Sequence, residues 1–171
     1  VQDKAPGMPR GVWQERPEST GYVEARSADP YDAPIIQPNY LAEEKDQQVL
    51  LAGMRLARNL MRTSALAPYF DKELVPGDNV ESDEEFLDFA RCQGTTVYHL
   101  IGTAKMGPAT DPQAVVDDQL RVHGIESLRV VDASIMPTMP SANTNAAVLM
   151  IAEKASDMIT GRSAPIPGAI N

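Results

Sequence analysis

The sequence contains one cysteine, Cys92, and two histidines, His99 and His123. A single cysteine cannot form an internal disulfide, and these three residues do not make the ligand cluster of a metal site. Basic residues are also in the minority, since 15 Lys and Arg stand against 24 Asp and Glu, which gives a net charge of −9 at pH 7. Because this charge would repel a phosphate backbone, we expect no nucleic-acid partner.

Long apolar runs and nucleotide-binding motifs are missing as well. The longest apolar run, residues 146–152, is far shorter than the roughly 20 residues of a transmembrane helix. No charged start followed by an apolar stretch is visible after Val1, so we expect no secretory signal and a cytoplasmic location. The sequence has neither G-x-G-x-x-G nor P-loop spacing, and therefore no self-sufficient site for a dinucleotide or ATP. Its 171 residues suffice for one domain or a sizeable piece of a larger one.

Apolar periodicity predicts two amphipathic helices in the first half. One covers roughly residues 43–62, with its apolar side chains on a single face. The other begins after Ser82, because Ser82 and Glu85 have the spacing of a capping box ahead of apolar residues. Both helices are expected to lie on the outside of a larger body.

The second half predicts short buried segments and a third helix. Residues 97–101 and 128–131 are short apolar stretches, and the second has the β-branched centre of a strand. The helix covers about residues 145–159, with Asn143 among its candidate capping residues and Gly161 at its end. Its first two turns are apolar almost all round, which is typical of a buried helix.

Polar residues lie at the edges of these apolar segments, in a definite order along the sequence. A histidine precedes a glycine-bounded loop, an aspartate follows the apolar stretch at 128–131, and asparagines precede the third helix. The segments are Tyr98-His99, Gly102-Thr103-Ala104-Lys105-Met106-Gly107, Arg129-Val130-Val131-Asp132-Ala133-Ser134 and Pro140-Ser141-Ala142-Asn143-Thr144-Asn145. Together with Ser19-Thr20-Gly21-Tyr22-Val23 and Asn39-Tyr40-Leu41, they resemble the C-terminal region of the glucose–methanol–choline (GMC) oxidoreductases, from about Ser19 to Ile159.

The resemblance implies an α+β fold and a division of the chain. A mainly antiparallel sheet flanked by helices would form part of the substrate domain over residues 19–95. A strand and a buried helix within residues 96–160 would complete the FAD-binding domain and the active site. Residues 1–18 are expected to be an irregular lead-in, and residues 161–171 a flexible tail.

Two catalytic residues follow from the resemblance. The family's catalytic histidine falls on His99, and a neutral imidazole can accept a hydroxyl proton near pH 7 because the usual pKa of histidine is about 6.5. The alternative is a core histidine satisfied by its neighbours. The second active-site position falls on Asn143, whose amide can hydrogen-bond a substrate oxygen, although capping the third helix would also explain an asparagine there.

The resemblance also implies contacts with the flavin. Asn143, Thr144 and Asn145 would lie at a helix N-terminus, where free N–H groups and a partial positive charge favour the negative charge of reduced flavin. Asp132 and Ala133 would meet the ribityl and phosphate region, chiefly through the backbone. A turn-forming role is the alternative for Asp132. His123 precedes the turn residue Gly124 and is expected to be structural.

The function implied is FAD-dependent oxidation of a primary alcohol, choline-like or another small alcohol. Most of the FAD site would lie in a missing N-terminal part or a partner chain, so the chain alone is expected to be inactive. The alternative is a non-catalytic excised or split-chain domain that acts only when paired with an FAD-binding partner. Uncovered apolar surface would favour a homo-oligomer in isolation.

Overall fold

A computed structural model describes residues 7–163 of the chain. Two short strands, β1 (Tyr22–Glu24) and β2 (Ile35–Gln37), form a two-stranded antiparallel sheet. The α-helices are α1 (Glu44–Met61), α2 (Asp83–Gln93) and α3 (Asn145–Thr160), with single 3-10 turns at Ala67–Tyr69 and Ala133–Ile135. The predicted bounds of α1 and α3 and the predicted start of α2 are therefore confirmed to within about one residue.

The described residues form two compact units. Unit 1 takes residues 7–21 and 37–97, and unit 2 takes residues 22–36 and 98–163. The assignment of residues 19–95 to a substrate domain and of residues 96–160 to an FAD domain stays a prediction. Parts of the expected lead-in and tail, residues 1–6 and 164–171, lie outside the described residues.

Unit 1 is organised around an arginine and a phenylalanine. Phe86 of α2 is almost fully buried, and the guanidinium groups of Arg55 and Arg58 on α1 lie 5.2 and 4.6 Å from its ring centroid. Arg58 also pairs with Glu73 at 2.7 Å and donates to the carbonyls of Val80 and Gly77. One buried side chain of α1 thus fixes both α2 and the loop before it. The capping box of Ser82 and Glu85 is present, as predicted.

The lead-in is attached to α1 by a buried carboxylate. Asp46 is 3% exposed and accepts hydrogen bonds from the backbone N–H groups of Glu18 and Ser19. Burial alone would raise the pKa of Asp46, but hydrogen bonds from Ser19, Glu18 and Gln14 outweigh it and lower the pKa. Further along α1, Gly53 lets the lead-in approach closely, because a Cβ there would lie 2.4 Å from Val12.

Unit 2 is built on an apolar cluster rather than on a sheet. Its buried members are Val116, Leu120, Ile135, Met136, Ile151 and Ala155. The loops between residues 98 and 132 pack on this cluster and are joined by isolated bridges, such as Met106 to Val116 and Arg121 to Arg129. Ile151 and Ala155 lie four residues apart, so one stripe of α3 faces the cluster.

Three details of the predicted fold require correction. Among residues 7–163, the expected mainly antiparallel sheet is limited to β1 and β2. The predicted strand at 128–131 is a loop with one bridge residue, Arg129, because it pairs locally with the turn at 119–122 and has no long neighbouring strand. Finally, α3 is not buried all round, since Leu149 and Met150 are exposed on the side that faces away from the cluster.

None of the described helices combines the length and the apolar character that a membrane crossing requires.

Candidate functional site

His99 lies at the start of unit 2, in a loop tied to the apolar cluster. The residue before it, Tyr98, has a φ of 60°, a left-handed conformation that costs a non-glycine residue about 1–2 kcal/mol. After it, the N–H groups of Ala104 and Met106 donate to the carbonyls of Ser134 and Ile135 at 3.0 and 2.9 Å. The loop is thus held after His99 by backbone hydrogen bonds, and the strained backbone before it is of a kind that is concentrated at functional sites.

The side chain of Asn143, which lies 44 residues later in the chain, contacts the ring of His99. The side-chain Nδ2 of Asn143 lies 3.3 Å from His99 Nε2. Its Oδ1 accepts the backbone N–H of Asn145 at 2.9 Å, at the first residue of α3. The capping role and the contact with His99 therefore coexist, because each uses a different end of the amide. Asn143 is exposed and His99 is half-buried, so the pair faces solvent at one edge.

Thr144 contacts the other nitrogen of the same imidazole. Its Oγ1 lies 3.2 Å from His99 Nδ1, and the residue is only 7% exposed. Thr144 occupies the N-cap position of α3, yet its side chain makes no capping hydrogen bond. The sequence predicts Thr144 only as a flavin contact and does not show this interaction, because no sequence pattern shows the direction of a buried hydroxyl.

Asp132 and Ala133 lie at the 3-10 turn that supports the loop after His99. The carboxylate of Asp132 accepts the N–H of Ser134 at 2.7 Å and so caps this turn. Its side chain is thereby committed to local structure, in line with the turn-forming alternative. Asn145, the remaining predicted contact, is exposed at the start of α3.

His123 is separate from this arrangement and contacts the backbone. Its ring Nε2 lies 3.1 Å from the carbonyl oxygen of Gly107. Its backbone N–H donates to the carbonyl oxygen of Val115. The nearby Lys105–Asp111 pair, at 2.7 Å, holds the same loop. The hydrogen bond from Lys105 is the main reason that the pKa of Asp111 is lowered. These contacts agree with a structural role for His123.

The exposed edge combines a base, an amide and a helix N-terminus. The first N–H groups of an α-helix lack intrahelical acceptors and carry a partial positive charge. Beside the His99–Asn143 pair, this end of α3 presents an environment that favours negative charge. Within residues 7–163, no cluster of His, Cys, Asp and Glu could hold a metal ion. The edge places an imidazole and a carboxamide beside the positive end of a helix.

Two relatives share about half of their aligned residues with this chain. Human choline dehydrogenase, mitochondrial, is 50% identical over 149 residues, which are 87% of the chain and 25% of the relative. Oxygen-dependent choline dehydrogenase of Staphylococcus aureus (strain JH9) is 48% identical over 145 residues, 84% of the chain and 26% of the relative. The chain thus spans about a quarter of the length of these relatives.

A solved structure has the same fold over most of the chain. Formate oxidase from Aspergillus oryzae RIB40, studied for the effect of a mutation on FAD modification, superposes with a TM-score of 0.78 at 33% identity, over 85% of this chain and 25% of that one. Residues 17–152 match the family model described as GMC oxidoreductase. With four-fifths of its residues inside that match, the chain belongs to the GMC oxidoreductase family and represents the family's C-terminal region.

Proposed function

We propose that this chain is the C-terminal part of an FAD-dependent alcohol oxidoreductase. Its substrate would be a small primary alcohol of the choline type, with His99 as the base and Asn143 as the hydrogen-bonding partner. The similarity to two choline dehydrogenases supports this substrate class. The observation that carries the proposal is the 3.3 Å contact between Asn143 and His99 at an exposed edge.

The residues at this edge fit a flavin in one respect. Reduced flavin is negatively charged, and Asn143, Asn145 and Ala146 are exposed at the positive end of α3. Asp132 and Ala133 would contribute backbone contacts, since the Asp132 carboxylate caps a turn. The site would be partial, because the sequence has no G-x-G-x-x-G motif. When bound, FAD supplies the acceptor for the hydride that leaves the alcohol carbon.

The chain's own residues would handle the substrate hydroxyl. A hydroxyl group at the exposed edge can donate its proton to the imidazole of His99 while its oxygen accepts a hydrogen bond from the Asn143 amide. Holding the oxygen in this way restricts the alcohol to orientations in which proton transfer is short. Asn143 would thus orient the substrate, and His99 would take up the proton.

The proposed partner is an FAD-binding part, on the same polypeptide or on a separate chain. Tyr98 and Leu100 flank His99 and are 80% and 61% exposed, and Leu149 and Met150 on α3 are also exposed. Exposed large apolar side chains in the segment that carries His99 and on α3 are expected of a surface that another body covers. In isolation this surface would favour self-association, which light scattering would detect. A monodisperse monomer would contradict that expectation.

The base role is tested by anaerobic flavin reduction in the flavoprotein that contains this region. The substitution His99→Ala should slow reduction by about 10²–10⁴-fold, the usual contribution of a general base. His123→Ala is the matched control, since the His123 ring contacts the Gly107 carbonyl oxygen rather than Asn143 or Thr144, and this variant should reduce flavin at the parental rate. Unchanged reduction in His99→Ala would remove His99 from the proposed role.

The partial character of the site gives a second test. The purified 171-residue chain, mixed with FAD and passed over a desalting column, should lose the visible flavin absorbance. Stoichiometric retention of FAD would contradict the proposal that most of the cofactor site lies outside this chain.

A further inference from the structure

We propose that Thr144 is a positioning residue that fixes the proton of neutral His99 on Nδ1 and leaves the lone pair of Nε2 on the exposed side. The inference begins with the orientation of the Asn143 amide. A backbone N–H can only donate, and that of Asn145 donates to Asn143 Oδ1 at 2.9 Å. The oxygen end of the amide is therefore committed to α3, and its nitrogen end faces His99.

The orientation of the Asn143 amide indicates which ring nitrogen of neutral His99 carries the proton. The amide nitrogen has two hydrogens and no acceptor capacity, and it lies 3.3 Å from His99 Nε2. A proton on Nε2 would place two donors against each other, so Nε2 accepts. In the neutral ring the proton then belongs on Nδ1, from which it points at Thr144 Oγ1, 3.2 Å away.

Thr144 is suited to hold this arrangement because it cannot easily move. The residue is 7% exposed, and its carbonyl accepts the N–H of Val148 in the first turn of α3. A threonine side chain also has few allowed rotamers. Its hydroxyl oxygen is consequently a fixed acceptor for Nδ1, at the other ring nitrogen from the exposed amide of Asn143.

His123 provides an internal contrast. The carbonyl oxygen of Gly107 can only accept, and it lies 3.1 Å from His123 Nε2. The neutral ring of His123 must therefore carry its proton on Nε2, the opposite tautomer to His99. Because the sequence has no other histidine, an imidazole spectrum contains the signals of these two rings alone. One ring is expected as the Nδ1–H tautomer and the other as the Nε2–H tautomer.

The consequence for catalysis, which rests on the proposed function, concerns the atom that receives the substrate proton. With Nδ1 protonated and bonded to Thr144, the only basic atom of the ring is Nε2, beside the Asn143 amide that would hold the substrate oxygen. Without the hydroxyl of Thr144 the ring can exchange tautomers or rotate, and a smaller fraction of molecules presents a base to the substrate.

The test is long-range ¹H–¹⁵N NMR of the imidazole groups in the 171-residue chain, at a pH where both rings are neutral. The expected spectrum shows His99 as the Nδ1–H tautomer and His123 as the Nε2–H tautomer. A spectrum with His99 protonated on Nε2 would overturn the proposal, whatever the variants do.

Two variants identify Thr144 as the cause. Thr144→Val keeps the shape but removes the hydroxyl, and it should convert His99 to a mixture of tautomers while the His123 signals stay unchanged. Thr144→Ser keeps the hydroxyl and should restore the Nδ1–H form. Retention of the full Nδ1–H signature in a folded Thr144→Val variant would contradict the proposal. If that variant does not fold, Thr144→Ala, which also lacks the hydroxyl, takes its place with the same expected and contradicting results.

The flavoprotein then separates this inference from the proposed function. There, Thr144→Val should slow flavin reduction about tenfold or more, as loss of a histidine-orienting partner does elsewhere, and Thr144→Ser should recover most of the rate. Predicted tautomers together with normal reduction in His99→Ala would refute the base role and leave the Thr144 assignment intact. An Nε2–H tautomer of His99 together with slow flavin reduction in the His99→Ala variant would refute the Thr144 assignment and leave the base role intact.

Discussion

Residues 37–97 of unit 1 bury an ion pair, whereas residues 98–163 of unit 2 are built on a buried apolar cluster and leave His99 half-buried and Asn143 exposed. In unit 1, Arg58 and Glu73 have side chains only 12% and 8% exposed. In unit 2, the buried members of the cluster are apolar, whereas His99 is half-buried and Asn143 is exposed.

This difference shows where polar groups remain available for chemistry. In unit 1 the charges of Arg58 and Glu73 satisfy each other, and Arg58 also holds the carbonyls of Val80 and Gly77 in the loop before α2. Unit 2 derives its stability from apolar contacts and loop hydrogen bonds, so the hydrogen-bonding capacity of His99 and Asn143 stays at an open edge. The comparison can be tested by perturbing each unit and asking whether the other responds.

The largest effect on stability is expected from Phe86→Ala in unit 1. The ring is almost fully buried and lies between Arg55 and Arg58, so its loss should cost about 3–5 kcal/mol of unfolding free energy. Urea denaturation gives the size, and hydrogen exchange should show the loss in α1 and α2. The half-buried Phe89 on the same helix is the control, with a smaller cost for Phe89→Ala. Equal loss of amide protection in both units would break the comparison.

A smaller effect is expected from Glu73→Gln. The substitution leaves the buried Arg58 without its carboxylate but with the carbonyls of Val80 and Gly77, and should cost about 1–3 kcal/mol. The exposed ion pair between Arg62, at the end of α1, and Asp78, in the loop before α2, offers a control, since Asp78→Asn should cost less than about 1 kcal/mol. Equal midpoints in urea for the two variants would mean that burial of the Arg58 pair contributes nothing.

In unit 2, Ile135→Val should cost about 0.5–1.5 kcal/mol, because one buried methylene is removed from the cluster. Ile159→Val, at an exposed position of α3, should leave stability nearly unchanged. Denaturation followed through the imidazole NMR signals of His99 and His123 reports on unit 2 directly. A larger loss for Ile159→Val would contradict the assignment of the core to the inner stripe of α3.

The smallest effect is a pH dependence that belongs to unit 1. The pKa of Asp46 is lower in the folded chain than its ordinary value of 3.8. The stability that its ionised carboxylate contributes is therefore complete above about pH 4 and is lost as the pH falls through the lowered pKa. Urea unfolding between pH 5 and pH 2.5, compared with Asp46→Asn, should show a shallower decline in the variant. Parallel curves would exclude this role of Asp46.

The helices could be predicted because their determinants are local. Apolar periodicity gives α1, the capping box of Ser82 and Glu85 gives the start of α2, and Gly161 with a φ of 69° gives the end of α3. The strand predicted at 128–131 was wrong, since β-branched residues show that a segment suits a sheet but not whether a neighbouring strand exists. Exposure of Leu149 and Met150 likewise depends on what covers α3.

The resemblance to the GMC family implied that His99 and Asn143 share a site, and the structure brings their side chains within hydrogen-bonding distance across 44 residues of sequence. Their catalytic roles stay a prediction. The direction of the Thr144 hydroxyl and the use of Asp132 as a turn cap depend on tertiary contacts that no spacing encodes.

The most direct measurement of the central claim, that His99 and Asn143 act as one unit, is a double-mutant cycle on flavin reduction. His99→Ala, Asn143→Ala and the double variant would be compared in the flavoprotein under anaerobic conditions. Residues that act together are strongly non-additive, so the double variant should be about as slow as His99→Ala alone. Effects that multiply across the cycle would show that the two side chains act independently and would contradict the account.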